Sequence, residues 1–133
     1  MPTHLGDPQS NIVGGVSVAR ATHTSSGNGS GVDLGVADGQ AFAIIPTETV
    51  TDGVHTITFE ESKNDNTADP EAADPYTAIS PVTSRVVALT EDNLFLIVNF
   101  FRRKRYVRAV KTVSGTTTGA VYSVGVFGAK KFY

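Results

Sequence analysis

The densest group of reactive side chains in the chain is Arg102-Arg103-Lys104-Arg105-Tyr106-Val107-Arg108. Clustered cations beside an aromatic ring suit two kinds of chemistry. They can neutralise phosphates while a ring stacks on a base, or they can pair with the carboxylates of an acidic protein neighbour. The acidic isoelectric point of about 5.8 and the absence of an RRM, OB or helix-turn-helix signature weigh against nucleic acid. An acidic protein surface is the favoured target, with a merely solvated basic hairpin as the alternative.

Other reactive residues are scattered. His4, His23 and His55 have no paired spacing, so solvated or edge-packed histidines are expected rather than a metal site. Oxygen donors alternate in Asn64-Asp65-Asn66-Thr67-Ala68-Asp69-Pro70-Glu71, a pattern that could hold calcium. Pro70 and Tyr76 stand where an EF-hand loop needs glycine and a bidentate glutamate, so a solvated loop is expected. Glu60-Glu61 and Glu91-Asp92 fall at the ends of predicted strands, without the pattern of a glycosidase pair. Gly27-Asn28-Gly29-Ser30-Gly31 begins like a dinucleotide fingerprint, but Val32 takes the place of its third glycine and no helical pattern follows. No nucleophile elbow, P-loop or zinc-protease motif is present. No catalytic residue, metal ligand or cofactor is expected.

Composition bounds the architecture that must position these groups. With 133 residues, 40% of them hydrophobic, the chain fits one domain with one core. It has no cysteine, which excludes disulfide staples and thiolate chemistry. No apolar run is long enough for a membrane helix, and Met1 to Asp7 lacks the regions of a signal peptide, so the protein is expected to stay where it is made. The net charge of −2 conceals a strong asymmetry: all thirteen acids precede Asn93, and residues 100–133 carry eight basic residues and no acid. Such halves can complement each other within a fold or between subunits.

Valine, threonine and glycine are abundant, and turn signals recur at short intervals, which points to strands. Strands are predicted at Val16–Thr22, at Ala41–Ile45 ending at Pro46, at Val54–Phe59 and at Arg85–Leu89. Further strands are predicted at Leu94–Phe101, Tyr106–Val113 and Ala120–Phe127. Asp38-Gly39 and Asp52-Gly53 read as turns, the second as a hairpin. The run Leu94-Phe95-Leu96-Ile97-Val98-Asn99-Phe100-Phe101 reads as a fully buried central strand. A tight turn at Arg102–Lys104 would return the chain along Tyr106–Val113 as its hairpin partner. Ser62 to Pro81 is a long acidic loop punctuated by prolines, and Lys130 to Tyr133 a short tail. The expected fold is all-β, a single antiparallel β-sandwich or jelly roll over residues 16–133, with an extended N-terminal arm over residues 1–15.

Four short segments, Val32-Asp33-Leu34, Thr51-Asp52-Gly53-Val54-His55-Thr56 leading into Phe59-Glu60-Glu61-Ser62, Lys104-Arg105-Tyr106-Val107-Arg108, and Thr112-Val113-Ser114-Gly115-Thr116, occur in an order that resembles a family of small virion structural proteins of tailed bacteriophages. The resemblance spans roughly residues 22–128. It implies a capsid decoration (cement) or minor head protein that binds the outer surface of the major capsid protein lattice and stabilises the head. It also implies self-association, as a homotrimer, a location on the outer surface of the virion capsid, and no enzymatic role. Phe101-Arg102-Arg103 departs from the family pattern, where a glycine-containing turn is usual, as does the tail without proline. The candidate contact residues are Arg102, Arg103, Lys104, Arg105, Tyr106 and Arg108 in the basic segment, and Leu5, Ile12 and Val13 in the arm. Arg105 and Arg108 are expected to pair with carboxylates. A tail, neck or spike component of the virion, or a carbohydrate-binding sandwich using the acidic loop or Tyr76, are the alternative readings.

Overall fold

The computed structural model describes residues 11–64 and 75–130. Its regular elements are ten strands: β1 (Ile12–His23), β2 (Gly27–Asn28), β3 (Val32–Asp33), β4 (Ala37–Val50), β5 (Val54–Ser62), β6 (Thr77–Ala78), β7 (Ser84–Val87), β8 (Phe95–Phe101), β9 (Tyr106–Ser114) and β10 (Ala120–Lys130). They form two antiparallel sheets packed as a β-sandwich. One sheet has the order β1-β10-β4-β8. In the other, β9 and β5 lie side by side, with β2 and β3 on the free side of β9 and β6 and β7 on the free side of β5.

Period-two alternation decides which residues enter the space between the sheets. Ala41, Ala43 and Ile45 on β4 face inward with Leu96, Val98 and Phe100 on β8 and Tyr122, Val124 and Val126 on β10. His55, Ile57 and Phe59 on β5, with Val107 and Ala109 on β9, meet them from the opposite sheet. Phe59 stacks on Phe100 across the gap, with centroids 4.6 Å apart. Residues this well buried each contribute on the order of 1.5–3 kcal/mol when large and apolar, which makes the inner faces the source of the fold's stability.

Several local expectations change in this frame. The turns read as hairpins are crossings between sheets. Asp52-Gly53 links β4 to β5, and Arg102 to Arg105 links β8 to β9, so β8 and β9 do not pair with each other. Gly53 fits its turn by adopting φ +91°, a region that side chains disfavour. Leu94–Phe101 is not a central, fully buried strand. β8 forms the edge of its sheet and buries only alternate residues.

β4 also runs through Asp38-Gly39 and Pro46, longer than its apolar run suggested. The chain turns earlier, where Ala37 N–H donates to the Leu34 carbonyl. Pro46 sits opposite Phe95 and beside a register break against β10, where a missing donor interrupts little of the ladder. At the N-terminus, β1 starts at Ile12 and pairs through Ile12–Ala129 and Val13–Gly128. Residues 12–15, expected in the arm, therefore belong to the sheet. The rest of that arm through Ser10, the central part of the acidic loop and the last three residues lie outside the described residues.

Candidate contact surfaces

The basic segment is held from within. As the chain leaves β8, the Arg102 guanidinium turns back over the start of β4. Its Nη2 donates to the carbonyls of Leu34 and Ala37 at 2.5 and 2.6 Å, and Nη1 donates to the Lys104 carbonyl at 2.9 Å. Burial lowers its pKa from the ordinary arginine value, opposed by the charges of Glu61, Asp33 and Asp38. Glu61 is itself buried and accepts the backbone N–H groups of Arg103 and Lys104 at 2.7 and 3.2 Å.

The remaining cations are engaged as well. Arg103 Nη1 donates to the Ser80 carbonyl at 3.0 Å, and Lys104 Nζ lies 3.4 Å from Thr77 Oγ1. Arg105 grips Asp33 through two bonds of 2.9 and 2.8 Å, and this contact holds the Asp33 carboxyl below its usual range. Arg108 pairs with Glu60 at 2.7 Å and lies 4.1 Å from the centre of the Tyr76 ring, while Arg105 lies 5.2 Å from that of Tyr106. Arg105 and Arg108 thus do find carboxylates, and both belong to this chain. A cleft of about 700 Å³ opens between Val13, Asp33, Gly35, Val36, Arg102 and Arg105, with both of its arginines already bonded to protein oxygens.

The other candidates also resolve into scaffold. Glu91 accepts from Arg85 and from the Ala88 N–H, and Asp92 Oδ1 accepts the Val50 N–H at 2.8 Å. Val13 packs against the core and Ile12 is half-buried in β1, while Leu5 and His4 lie outside the described residues. His23 and His55, expected at solvated positions or at edges, are buried and share Tyr122. Among the described residues no group of three or more His, Asp or Glu side chains is placed to hold a metal.

A surface that the sequence reading passed over lies on the outside of the β1-β10-β4-β8 sheet. Phe95, Ile97 and Phe101 point outward from β8 and are 75%, 63% and 59% exposed. In register, Ile97 stands beside Ile44 and Phe95 beside Pro46, while Phe42 lies opposite Phe127 with their rings stacked at 5.4 Å. Val16, 63% exposed, extends the patch onto β1. The Phe127 ring lies across Gly14 and Gly125: a Cβ at those positions would come within 2.3 and 2.8 Å of ring atoms. At one end the face runs into a cleft of about 380 Å³, lined by Arg20, Glu48, Leu94, Phe95, Tyr122 and others, where Arg20 and Glu48 neutralise each other at 2.5 Å.

The sequence shows that these strand segments carry no charge, though not which side of them is left uncovered. Ile12–Ala19, Gln40–Pro46, Phe95–Phe101 and Val121–Ala129 contain no charged residue, so both faces of this sheet are uncharged over those segments although only one face meets the core. Contiguous exposed apolar surface of this kind marks a place where another molecule binds.

Compared with known proteins, the chain matches no family model and no curated protein sequence.

Proposed function

We propose that this chain is a virion structural protein of the tailed-bacteriophage type. In this reading it is a capsid decoration protein that binds the outer surface of the major capsid lattice, associates with copies of itself as a homotrimer, and stabilises the head. The observation that carries the reading is the broad, uncharged outer face of the β1-β10-β4-β8 sheet, presented by a sandwich whose basic segment is engaged with acceptors of its own chain. A rigid sheet face suits attachment through area and repetition rather than through a pocket.

The placement of the family-like segments is compatible with this reading. Val32-Asp33, Phe59-Glu60-Glu61-Ser62 and Tyr106-Val107-Arg108 are neighbours in the second sheet, linked by the β3–β9 and β5–β9 ladders and by the Asp33–Arg105 and Glu60–Arg108 pairs. These segments build the scaffold and leave the opposite sheet for contacts.

Co-sedimentation of the purified chain with capsid shells lacking it tests the proposal. Saturable binding to shells, changing little between low and high salt, is expected, because an apolar contact is poorly screened. No binding to shells under any salt condition would overturn the reading.

A further inference from the structure

We propose that His23, Tyr122 and His55 form an acid-operated clasp: protonation of His23 frees one end of the sandwich, made of residues 23–24, 51–53 and 114–119, while the rest of the fold stays closed. The inference stands apart from the capsid reading, since it concerns the interior and not the outer face of the β1-β10-β4-β8 sheet.

Three buried rings build the clasp. His23 closes β1, His55 lies at the start of β5, and Tyr122 stands between them on β10, its ring 4.4 Å from that of His23 and 5.4 Å from that of His55. His23 Nε2 lies 2.9 Å from the Tyr122 carbonyl, which can only accept, so that nitrogen carries the proton of the neutral ring. The contacts then run on in series: Tyr122 Oη lies 3.2 Å from His55 Nδ1, and His55 Nε2 lies 2.9 Å from the Asp52 carbonyl. Through Tyr122 and His55, His23 is thereby linked to the β4–β5 crossing.

The end that the clasp holds is tied together by polar bonds. Thr51 N–H donates to the Gly119 carbonyl at 3.1 Å, and the Asp52 carboxylate accepts from the N–H groups of Thr117, Thr118 and Gly119. Thr116 Oγ1 donates to the Thr24 carbonyl at 2.7 Å, and Gly119 packs so closely on the His23 carbonyl that a Cβ there would come within 2.2 Å of its oxygen. Most of these bonds are exposed, so water can replace them once the buried rings let go.

Both ladders are already interrupted just inside this end. β1 slips register against β10 between Val18 and Ala21, and β10 slips against β4 between Ala120 and Tyr122. Beyond the breaks lie the rungs Ala21–Tyr122, Thr22–Val121 and His23–Ala120 on one side and Ala120–Val50 on the other. These can part without unpairing the strands further in.

A positive charge is unfavourable at His23. Lys111 from β9 and the His55 ring from β5 are the basic groups that act on it, the Tyr122 phenol stays neutral, and the Asp52 carboxylate directs its oxygens to the N–H groups of residues 117–119. Burial, the largest influence, lowers the pKa of His23 and outweighs the bonds to the Tyr122 and Ala19 backbone, so the closed end takes up a proton less readily than the opened one. Closure is therefore favoured above about pH 6.5 and weakens as the pH falls below it. Asp52 is held below its ordinary range by the Gly119, Thr118 and Thr117 N–H groups, so it stays charged while His23 titrates.

The test is hydrogen exchange of the purified full chain, read by mass spectrometry at about pH 7.5 and 5.5 and corrected for the pH dependence of intrinsic exchange, with His23→Gln alongside. In the wild type, protection of peptides covering residues 19–24, 50–55 and 114–122 should fall on acidification by about tenfold, the effect of one linked proton over one pH unit, while peptides at the far end, covering residues 37–42 and 98–102, change less than about twofold. In His23→Gln the fall at the clasped end should shrink to less than about threefold. A fall spread evenly over the sandwich, no fall at all, or a fall of wild-type size in His23→Gln overturns the proposal. Should His23→Gln fail to fold, Lys111→Gln takes its place: removing the neighbouring positive charge eases protonation of the closed form, so the fall should be shallower than in the wild type, and a fall equal to or steeper than that of the wild type overturns the proposal.

Discussion

The hydroxyl of Tyr122, on one sheet, lies 3.2 Å from Nδ1 of His55, on the other. The second ring nitrogen of His55 lies 2.9 Å from the Asp52 carbonyl, which can only accept, so Nε2 carries the proton and Nδ1 accepts from the tyrosine. This bond joins the two layers beside the β4–β5 crossing. Burial pushes the phenol up to about 12, keeping it a donor. Tyr122→Phe removes the donor and leaves a buried acceptor unmet, so it should lower the unfolding free energy by about 1–2 kcal/mol in urea titration.

His23 contributes to the acid limb of stability. Burial, as the largest influence, lowers its pKa below the ordinary 6.5, and the positive charge of Lys111 acts in the same direction, while hydrogen bonds to the Tyr122 and Ala19 backbone oppose it. The unfolded chain then binds a proton more readily than the folded one. The contribution of neutral His23 is complete above about pH 6.5 and is lost as the pH falls through the unfolded value toward the folded one. Melting temperatures measured from pH 7.5 to 5 should therefore decline in the wild type, with a shallower decline in His23→Gln.

Arg102 and Arg105, three residues apart, should differ sharply on substitution. Arg102 satisfies three backbone carbonyls where β8 leaves its sheet, so Arg102→Ala should cost about 2–3 kcal/mol, and Arg102→Lys most of that because lysine lacks the fork. The Arg105–Asp33 pair is about half exposed, and Arg105→Ala should cost less than about 1 kcal/mol. Chemical denaturation of the three variants checks the contrast; equal effects would contradict it.

Gly14 is required by its neighbours rather than by its backbone angles. A Cβ there would meet Phe127 Cδ1 at 2.3 Å and the Val126 carbonyl oxygen at 2.4 Å, and the latter belongs to a paired strand that cannot swing away. Gly14→Ala should destabilise the chain by about 1–3 kcal/mol and alter the near-ultraviolet aromatic signal. A neutral result would show that the ring is not seated as described.

The sandwich and most strand positions were legible because alternation and turn residues act locally. His55, Ile57 and Phe59 share a buried face, as their spacing required. Connectivity was less visible. A two-residue turn after Thr51 looks the same whether the chain returns in one sheet or crosses to another; that is decided by distant contacts such as the bonds from Asp52 to the N–H groups of Thr117, Thr118 and Gly119. The cluster at Arg102–Arg108 looked like an exterior recognition surface because several of its main acceptors, Asp33, Glu60 and the Leu34 carbonyl, lie more than forty residues away in sequence. The Phe95–Phe101 face was hidden for the opposite reason. Apolar residues at every position but one resemble a strand buried on both sides, and only the sheet order shows that one side has no covering layer.

The central proposal is that this protein belongs on the head of a virion. Fractionating disrupted virions into heads and tails, with quantitative mass spectrometry for this chain, tests it most directly. The account predicts hundreds of copies, all with the heads. A few copies confined to tails or necks, or absence from both fractions, would contradict it.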